Sequence, residues 1–454
     1  MYACVAISAR YGERSGISLD ANTLFPALDK VIRRHAALCV TLSGEASGKP
    51  AWVRLEKVDL TRVVNFSDDT QANIRTVFES EIAHRFRTQS EPADPLWRLR
   101  ISRDGIVTFA WHHAIGDGRS GLAFHHSLLE ALNEVDTEGP PRDPCTSAIV
   151  PPNLSLVEPV ENIISTAVSP LTLCRQVLQL LMPDSWKASY HAWTGHPVPD
   201  HDSLLATVRL VDYNRDATET LLRLCRANDS TITGFLMALS ARVISRLIAA
   251  DQSLNGRYKS IVALVPVSLR GLTKTPEDVF CSEVSSINRL IPLDPPTPPD
   301  GGLLSDSFHW ELAAELTRDL RRHAPQSTQQ LGLLKFLPDY EAYLKGFYSK
   351  KRNATIEISN LGTYPWRSCD SDHRVASDGE AGKWNIDEMY FVQSQAAFMA
   401  AIHMNVVGTP GGGLGLTVSW SQGAIEEDFG ESFYSGLKDC LDDMAQVAKD
   451  TDLE

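Results

Sequence analysis

VTFAWHHAIGDGRSG, residues 107–121, is the stretch whose reading decides the fold. Val107 to Trp111 is a run of β-branched, aromatic and small apolar residues, the composition of a mostly buried strand. Gly116 and Gly118 flank Asp117 in a turn. From Gly118 the chain reads GRSGLAFHHSLLEALN, with Leu122, Leu129 and Leu132 near helical spacing. The stretch reads as strand, tight turn, helix, and its two histidines stand where the strand ends.

Side chains alternate faces along an extended chain, so His112 and His113 point in opposite directions: one enters a cleft and the other packs. That geometry argues against a shared metal ion, and His125 and His126 on the following helix have no carboxylate beside them. An imidazole at a strand end can instead act as a general base, because its ordinary pKa near 6.5 lets it accept a proton at neutral pH. Asp117 either orients the ring, as in a triad, or holds the turn in shape, and the residues leave both readings open. No G-x-S-x-G elbow accompanies the histidines, so the chemistry expected is activation of a substrate and not of a protein nucleophile. A lone histidine is usually a satisfied core residue. The pattern H-H-x-x-x-D-G, however, arises by chance in roughly one chain of this size in a thousand.

Working outward, 454 residues exceed one ordinary core, and two domains are expected. Hydrophobic residues at 43% and charged residues at 22% describe a globular protein. The net charge of -14, without a long basic stripe, excludes a general nucleic-acid binder. Eight scattered cysteines without a C-x-x-C pair read as reduced thiols. Ile232 to Ala250 comes nearest to a membrane span but contains Arg242 and Arg246, and the expectation is a cytoplasmic protein without a span.

Strands are expected at 2–10, 95–102, 203–211, 261–266, 354–359, 399–407 and 414–420, with a hairpin at 103–105. Helices are expected at 22–38, 78–86, 217–226 and 231–249, the last capped by Thr231. The proline-rich segments 139–159 and 292–302 read as surface connections, and TGHPVPDHD at 194–202 as the domain boundary. GTPGGGLG, between the last two strands, lacks G-x-G-x-x-G spacing and reads as a hairpin turn, not a phosphate cradle. The expected class is α/β, with halves at 1–195 and 196–454.

With KVIRRHAALCVTL, PLWRLRIS, WHHAIGDG, TITGFLMALSARV, VPVSLR and IEISNLG in this order, the chain resembles the superfamily of chloramphenicol acetyltransferase, plant acyl-CoA-dependent acyltransferases and peptide-synthetase condensation domains. It looks closest to fungal alcohol acetyltransferase-like proteins. The resemblance implies two similar α/β domains with a tunnel between them, where acyl donor and acceptor meet at the second motif histidine, here His113. It implies acyl-CoA as cosubstrate, no permanently bound cofactor and no acyl-enzyme. It implies that Asp117 pairs with Arg270 of VPVSLR as structural support, a pair whose breaking, if buried, costs about 3–5 kcal/mol. His112 and Gly118 belong to the same support, and Ser359 and Asn360 line the tunnel. SKKR at 349–352 is read as a solvated loop and not as a phosphate site. Two departures stand out: Asp428, Phe429 and Gly430 are followed by Glu431 and Ser432, unlike the plant D-F-G-W-G, and no helix precedes the first strand. Either the form is shortened or another segment covers that edge.

The leading expectation is therefore acyl transfer from acyl-CoA to a small alcohol with His113 as base. The alternatives are condensation-type or N-acyl transfer from a carrier-protein thioester, and a non-catalytic protein that holds a metabolite or partner.

Overall fold

A computed structural model describes residues 4–12, 18–44, 50–67, 73–88, 93–138, 145–200, 204–294, 308, 310–364, 383–394 and 399–451. The larger elements of the first part are β1 (Cys4–Gly12), α1 (Ala21–Arg34), β2 (Val64–Ser67), α2 (Ile74–Ala83), β3 (Trp97–Ser102), β4 (Ile106–His112) and α3 (Gly118–Glu138). Then follow β5 (Ala192–Trp193), β6 (Ala206–Tyr213), α4 (Arg215–Ala227), α5 (Ile232–Ala250), β7 (Ser260–Ser268), β8 (Val284–Pro292) and α6 (Trp310–His323). The last are β9 (Ala354–Asn360), β10 (Asn385–Gln393), β11 (Ala400–Gly408), β12 (Leu414–Ser421) and α7 (Glu427–Thr451).

One mixed sheet has the order β10-β1-β4-β3-β2 and the other β6-β12-β11-β9-β7-β8, with β5 beside β7. This is the expected α/β architecture of two helix-covered sheets. β1 is paired on both sides, by β4 and by β10, so it is not an edge. The covering segment is a strand from 385–393 and not a preceding helix.

α1 and α3 lie on one face of the first sheet because Leu24, Leu28, Val31 and Ile32 of α1, and Leu122, Leu128 and Leu132 of α3, fall on their inner stripes. Phe109 of β4 stacks on Phe124 of α3 with ring centroids 3.8 Å apart, and Trp111 stacks on Phe109. Each such buried side chain contributes roughly 2–3 kcal/mol, which fixes the strand carrying the histidines against the helix that follows them. The opposite face packs Ala6 and Ala110 against Phe78 and Ile82 of α2.

The second core joins Phe235, Leu239 and Ile244 of α5 to Ile356, Val418, Trp420 and Phe433. α5 is the one helix among the described residues long and apolar enough to cross a membrane, and 72% of that window is buried inside the fold. Thr231 caps it, accepting the Gly234 amide at 3.3 Å.

Boundaries moved in places. The helix expected to Leu38 stops at Arg34, because His35 adopts extended backbone before a 3-10 turn at Ala36–Cys39. Strands β2, β5, β8 and β10 and helices α6 and α7 are additional to those expected. A helix at Pro170–Leu181 is also additional, and it leaves Leu171, Leu178, Leu180 and Leu181 exposed. Most of the proline-rich run 292–302, and 139–144 of the earlier one, lie outside the described residues. The glycine-rich turn is a hairpin joining β11 to β12, with Gly412 at φ +85° and the Thr409 amide donating to the Gly413 carbonyl. The seven described cysteines are all free.

Candidate active site

β4 ends at His112, and the chain turns at once into a 3-10 turn, His113–Ile115. The His112 Nδ1 accepts the Ala114 amide at 3.1 Å, and its ring meets Phe86 edge-on. His112 thus props the turn. His113, partly exposed, lines a cavity of about 610 Å³ between the two sheets, and no described residue hydrogen-bonds its ring. The two rings are separated where the chain leaves the extended conformation after His112, so the 3-10 turn and not strand alternation sets them apart.

Asp117 is 1% exposed and its carboxylate is fully engaged. Oδ1 accepts from the Ser120 amide at 3.0 Å and the Ser120 hydroxyl at 3.1 Å, which anchors the first turn of α3. Oδ2 accepts from the Arg270 guanidinium at 2.7 Å and from the Glu283 amide at 3.4 Å. No hydrogen bond joins this carboxylate to His113, so the geometry is that of a turn support and not of a triad. Arg270 is also buried and donates to the Val279 carbonyl at 3.1 Å. Burial opposes its charge, but the pairing with Asp117 outweighs that and raises the pKa above the ordinary value.

Gly118 opens α3 close to side chains of the other half. A Cβ there would stand 2.6 Å from Leu361 Cδ2 and 3.3 Å from Phe391, so a larger residue requires those side chains to shift. Arg119, which the sequence reading did not single out, donates to the Leu361 carbonyl at 3.3 Å and to Glu277 at 2.5 Å. It forms a second tie between the halves beside the cavity.

Across from the turn, β9 brings Ser359 and Asn360 into the same wall. Asn360 is committed: its amide donates to the Thr233 hydroxyl at 3.1 Å and its carbonyl accepts the Gly362 amide at 2.9 Å. Two residues before Ser359, on the same face of the strand, Glu357 also lines the cavity. Burial pushes its carboxyl up to about 7, against the opposing hydrogen bond from Gln393. Glu357 was legible only as a lone acid in the apolar run ATIEISN.

A second cavity of about 650 Å³ shares Asn360 and Gly362 with the first and is lined by Arg215, Arg223 and Arg226 together with Thr409 and Gly412 of the hairpin. Lys351 and Arg352 of SKKR line neither cavity; they donate to the Ser189, Tyr190 and His196 carbonyls. Among the described residues no group of three or more His, Cys, Asp or Glu side chains is placed to hold a metal.

Two mixed sheets in this order, with a histidine turn facing the cavity between them, have the chloramphenicol acetyltransferase-like fold. Solved structures share the fold: the polyketide synthase associated protein 5 of Mycobacterium tuberculosis has a TM-score of 0.60 at 15% identity, covering 97% of this chain and 93% of its own. The condensation domain of the monacolin K polyketide synthase MokA has a TM-score of 0.55 at 13% identity, covering 98% and 92%. The model of the alcohol acetyltransferase family matches residues 55–439, and the chain belongs to that family. It is 23% identical to the probable alcohol acetyltransferase FCK4 of Fusarium pseudograminearum, over 92% of this chain and 84% of that one. It is also 23% identical to the probable alcohol acetyltransferase crmB of Aspergillus fumigatus, over 89% and 87%.

Proposed function

We propose that the chain transfers an acyl group from acyl-CoA to the hydroxyl of a small-molecule acceptor, with His113 as general base and without an acyl-enzyme. The observation that carries this reading is the His113 imidazole in the wall of the cavity between the sheets, with no described hydrogen-bond partner to hold its lone pair. His113 takes the proton of the acceptor hydroxyl as its oxygen attacks the thioester carbonyl. The tetrahedral intermediate then breaks its C–S bond, and the imidazolium returns the proton to the departing thiolate, leaving an ester and free CoA. The Ser359 hydroxyl in the facing wall is the candidate donor to the oxyanion. Asp117 and Arg270 support the turn without touching the reacting atoms.

A CoA donor, rather than a carrier-protein thioester, is favoured by the adjoining cavity. Arg223 and Arg226, with Arg215 paired to Glu219 at 3.4 Å in the same wall, offer guanidinium donors suited to phosphate, where the shared Asn360 and Gly362 lead to His113.

Thiol release is the assay, with acetyl-CoA or acetyl-pantetheine and a panel of alcohols. His113→Ala, shown folded by circular dichroism, is expected to lose about 10²–10⁴-fold in rate, and acetyl-CoA is expected to outperform acetyl-pantetheine. Full thiol release by the folded variant defeats the assignment of the base, and equal use of both donors defeats the phosphate site.

A further inference from the structure

The acceptor end of the cavity contains a buried carboxyl that the motif does not explain. Six of the seven residues of β9 are buried, and Glu357 is 6% exposed among them. Its Oε1 accepts from Gln393 Nε2 at 2.5 Å, and Gln393 also stands in the cavity wall. Its Oε2 has no hydrogen-bond partner among the described residues. The nearest ionisable neighbour, His403 Nδ1, is 3.8 Å away, beyond hydrogen-bond reach, and neither nitrogen of that 2% exposed ring has a hydrogen-bond partner among the described residues. A buried carboxyl with one oxygen held and the other left open to a cavity is a receptor for a donor that arrives with a ligand.

The direction of approach follows from the function proposed above, on which this inference rests. Glu357 precedes Asn360 by three residues, about 10 Å along the strand. Asn360 marks the junction with the arginine-lined cavity, where CoA enters, so the Glu357 end is left for the acceptor. Leu264, the strand neighbour of Glu357, together with Leu331 and Met399 gives the cavity apolar surface, beside the polar Ser285, Ser286 and Gln330.

We propose that Glu357, oriented by Gln393, determines acceptor specificity by accepting a hydrogen bond from a second donor group on an otherwise apolar alcohol. That group is a hydroxyl or an ammonium, so diols and amino alcohols of matching length are preferred to plain alkanols. An unbranched alkanol leaves the open carboxyl oxygen desolvated and unpaired, and the discrimination arises from that difference.

The test uses the full chain, acetyl-CoA and three series of four to eight carbons: 1-alkanols, terminal diols and terminal amino alcohols. The ratio of kcat/KM for the best bifunctional acceptor to that of its alkanol is expected to exceed 10 in the wild type and to fall near 1 in Glu357→Leu and Gln393→Leu. Glu357→Gln is expected to keep part of the diol preference and to lose any amino alcohol preference, since an amide holds no countercharge. The same ratio is read in binding by calorimetry, with wild type and His113→Ala. A wild-type ratio near 1, or a ratio that survives both leucine variants, overturns the proposal. Glu357-dependent binding without turnover upholds it and sinks acyl transfer instead. Turnover without dependence on Glu357 sinks only the specificity assignment.

Discussion

Asp117 and Arg270 are 153 positions apart, each 1% exposed, and joined at 2.7 Å. Such a pair contributes less than its Coulomb attraction suggests, because both ions lose their hydration. Breaking it is another matter, since the survivor is then buried without a counterion. Asp117→Asn keeps the shape and removes the charge, and it is expected to lower the unfolding free energy by about 3–5 kcal/mol in urea titrations. Adding Arg270→Leu to that variant should cost less than the two single losses combined, because both charges then disappear. A loss under about 1 kcal/mol for Asp117→Asn would show that the turn does not depend on the pair. On the proposal that His113 is the base, removal of Asp117 would act on it through the turn and removal of His113 on the proton directly, so the two variants separate support from chemistry.

At the level of elements, the cavity exists because β10, drawn from the later part of the chain, runs beside β1 while its backbone meets β12 of the other sheet. The contact is intimate: the Thr417 hydroxyl donates to the Phe391 carbonyl at 2.6 Å, and a Cβ on Gly415 would stand 2.0 Å from the Met389 carbonyl oxygen. A backbone atom held in a sheet cannot move aside as a side-chain tip can. Gly415→Ala is therefore expected to push the sheets apart, with a loss on the order of 2 kcal/mol in thermal unfolding and reduced acyl transfer. Wild-type melting and turnover in that variant would contradict the role given to this junction.

At the scale of the whole molecule, buried titratable groups set the pH dependence of stability. Burial lowers His35 to about 4, His125 to about 4 and His403 to about 3. Each binds a proton readily when unfolded, below an ordinary pKa of 6.5, and resists it when folded. Their stabilising contribution is thus complete above 6.5 and is lost as pH falls toward 4. Glu357 has the opposite sign: its folded pKa of about 7 lies above the ordinary 4.5, so its contribution is complete below 4.5 and lost as pH rises through 7. Three histidines against one glutamate leave a net of about two protons between pH 5 and 6. That corresponds to roughly 3 kcal/mol of stability lost per pH unit on acidification. Urea midpoints at pH 5.0, 5.5 and 6.0 measure the slope, and a flat series would remove the buried-imidazole account.

How much of this was legible in the sequence differs between the turn and its surroundings. Local chemistry was sufficient for the strand, turn and helix around His113, because apolar patterning, the paired glycines and the helix spacing all act within some twenty residues. The hairpin at Thr409–Gly413 was readable for the same reason, since backbone freedom is a property of the residues themselves. The Asp117–Arg270 pair came from resemblance and not from spacing, because nothing local joins positions so distant. β10 was not foreseen, Arg119 carried no motif, and Glu357 was only an acid in an apolar run. The sequence alone determined which side chains stand at the end of β4 and that an α/β fold carries them. Only the tertiary structure decided which strand closes the first sheet, that Asp117 bonds Arg270 instead of the His113 ring, and that Glu357 opens onto the cavity, because burial and pairing are set by neighbours that chain folding brings from hundreds of residues away.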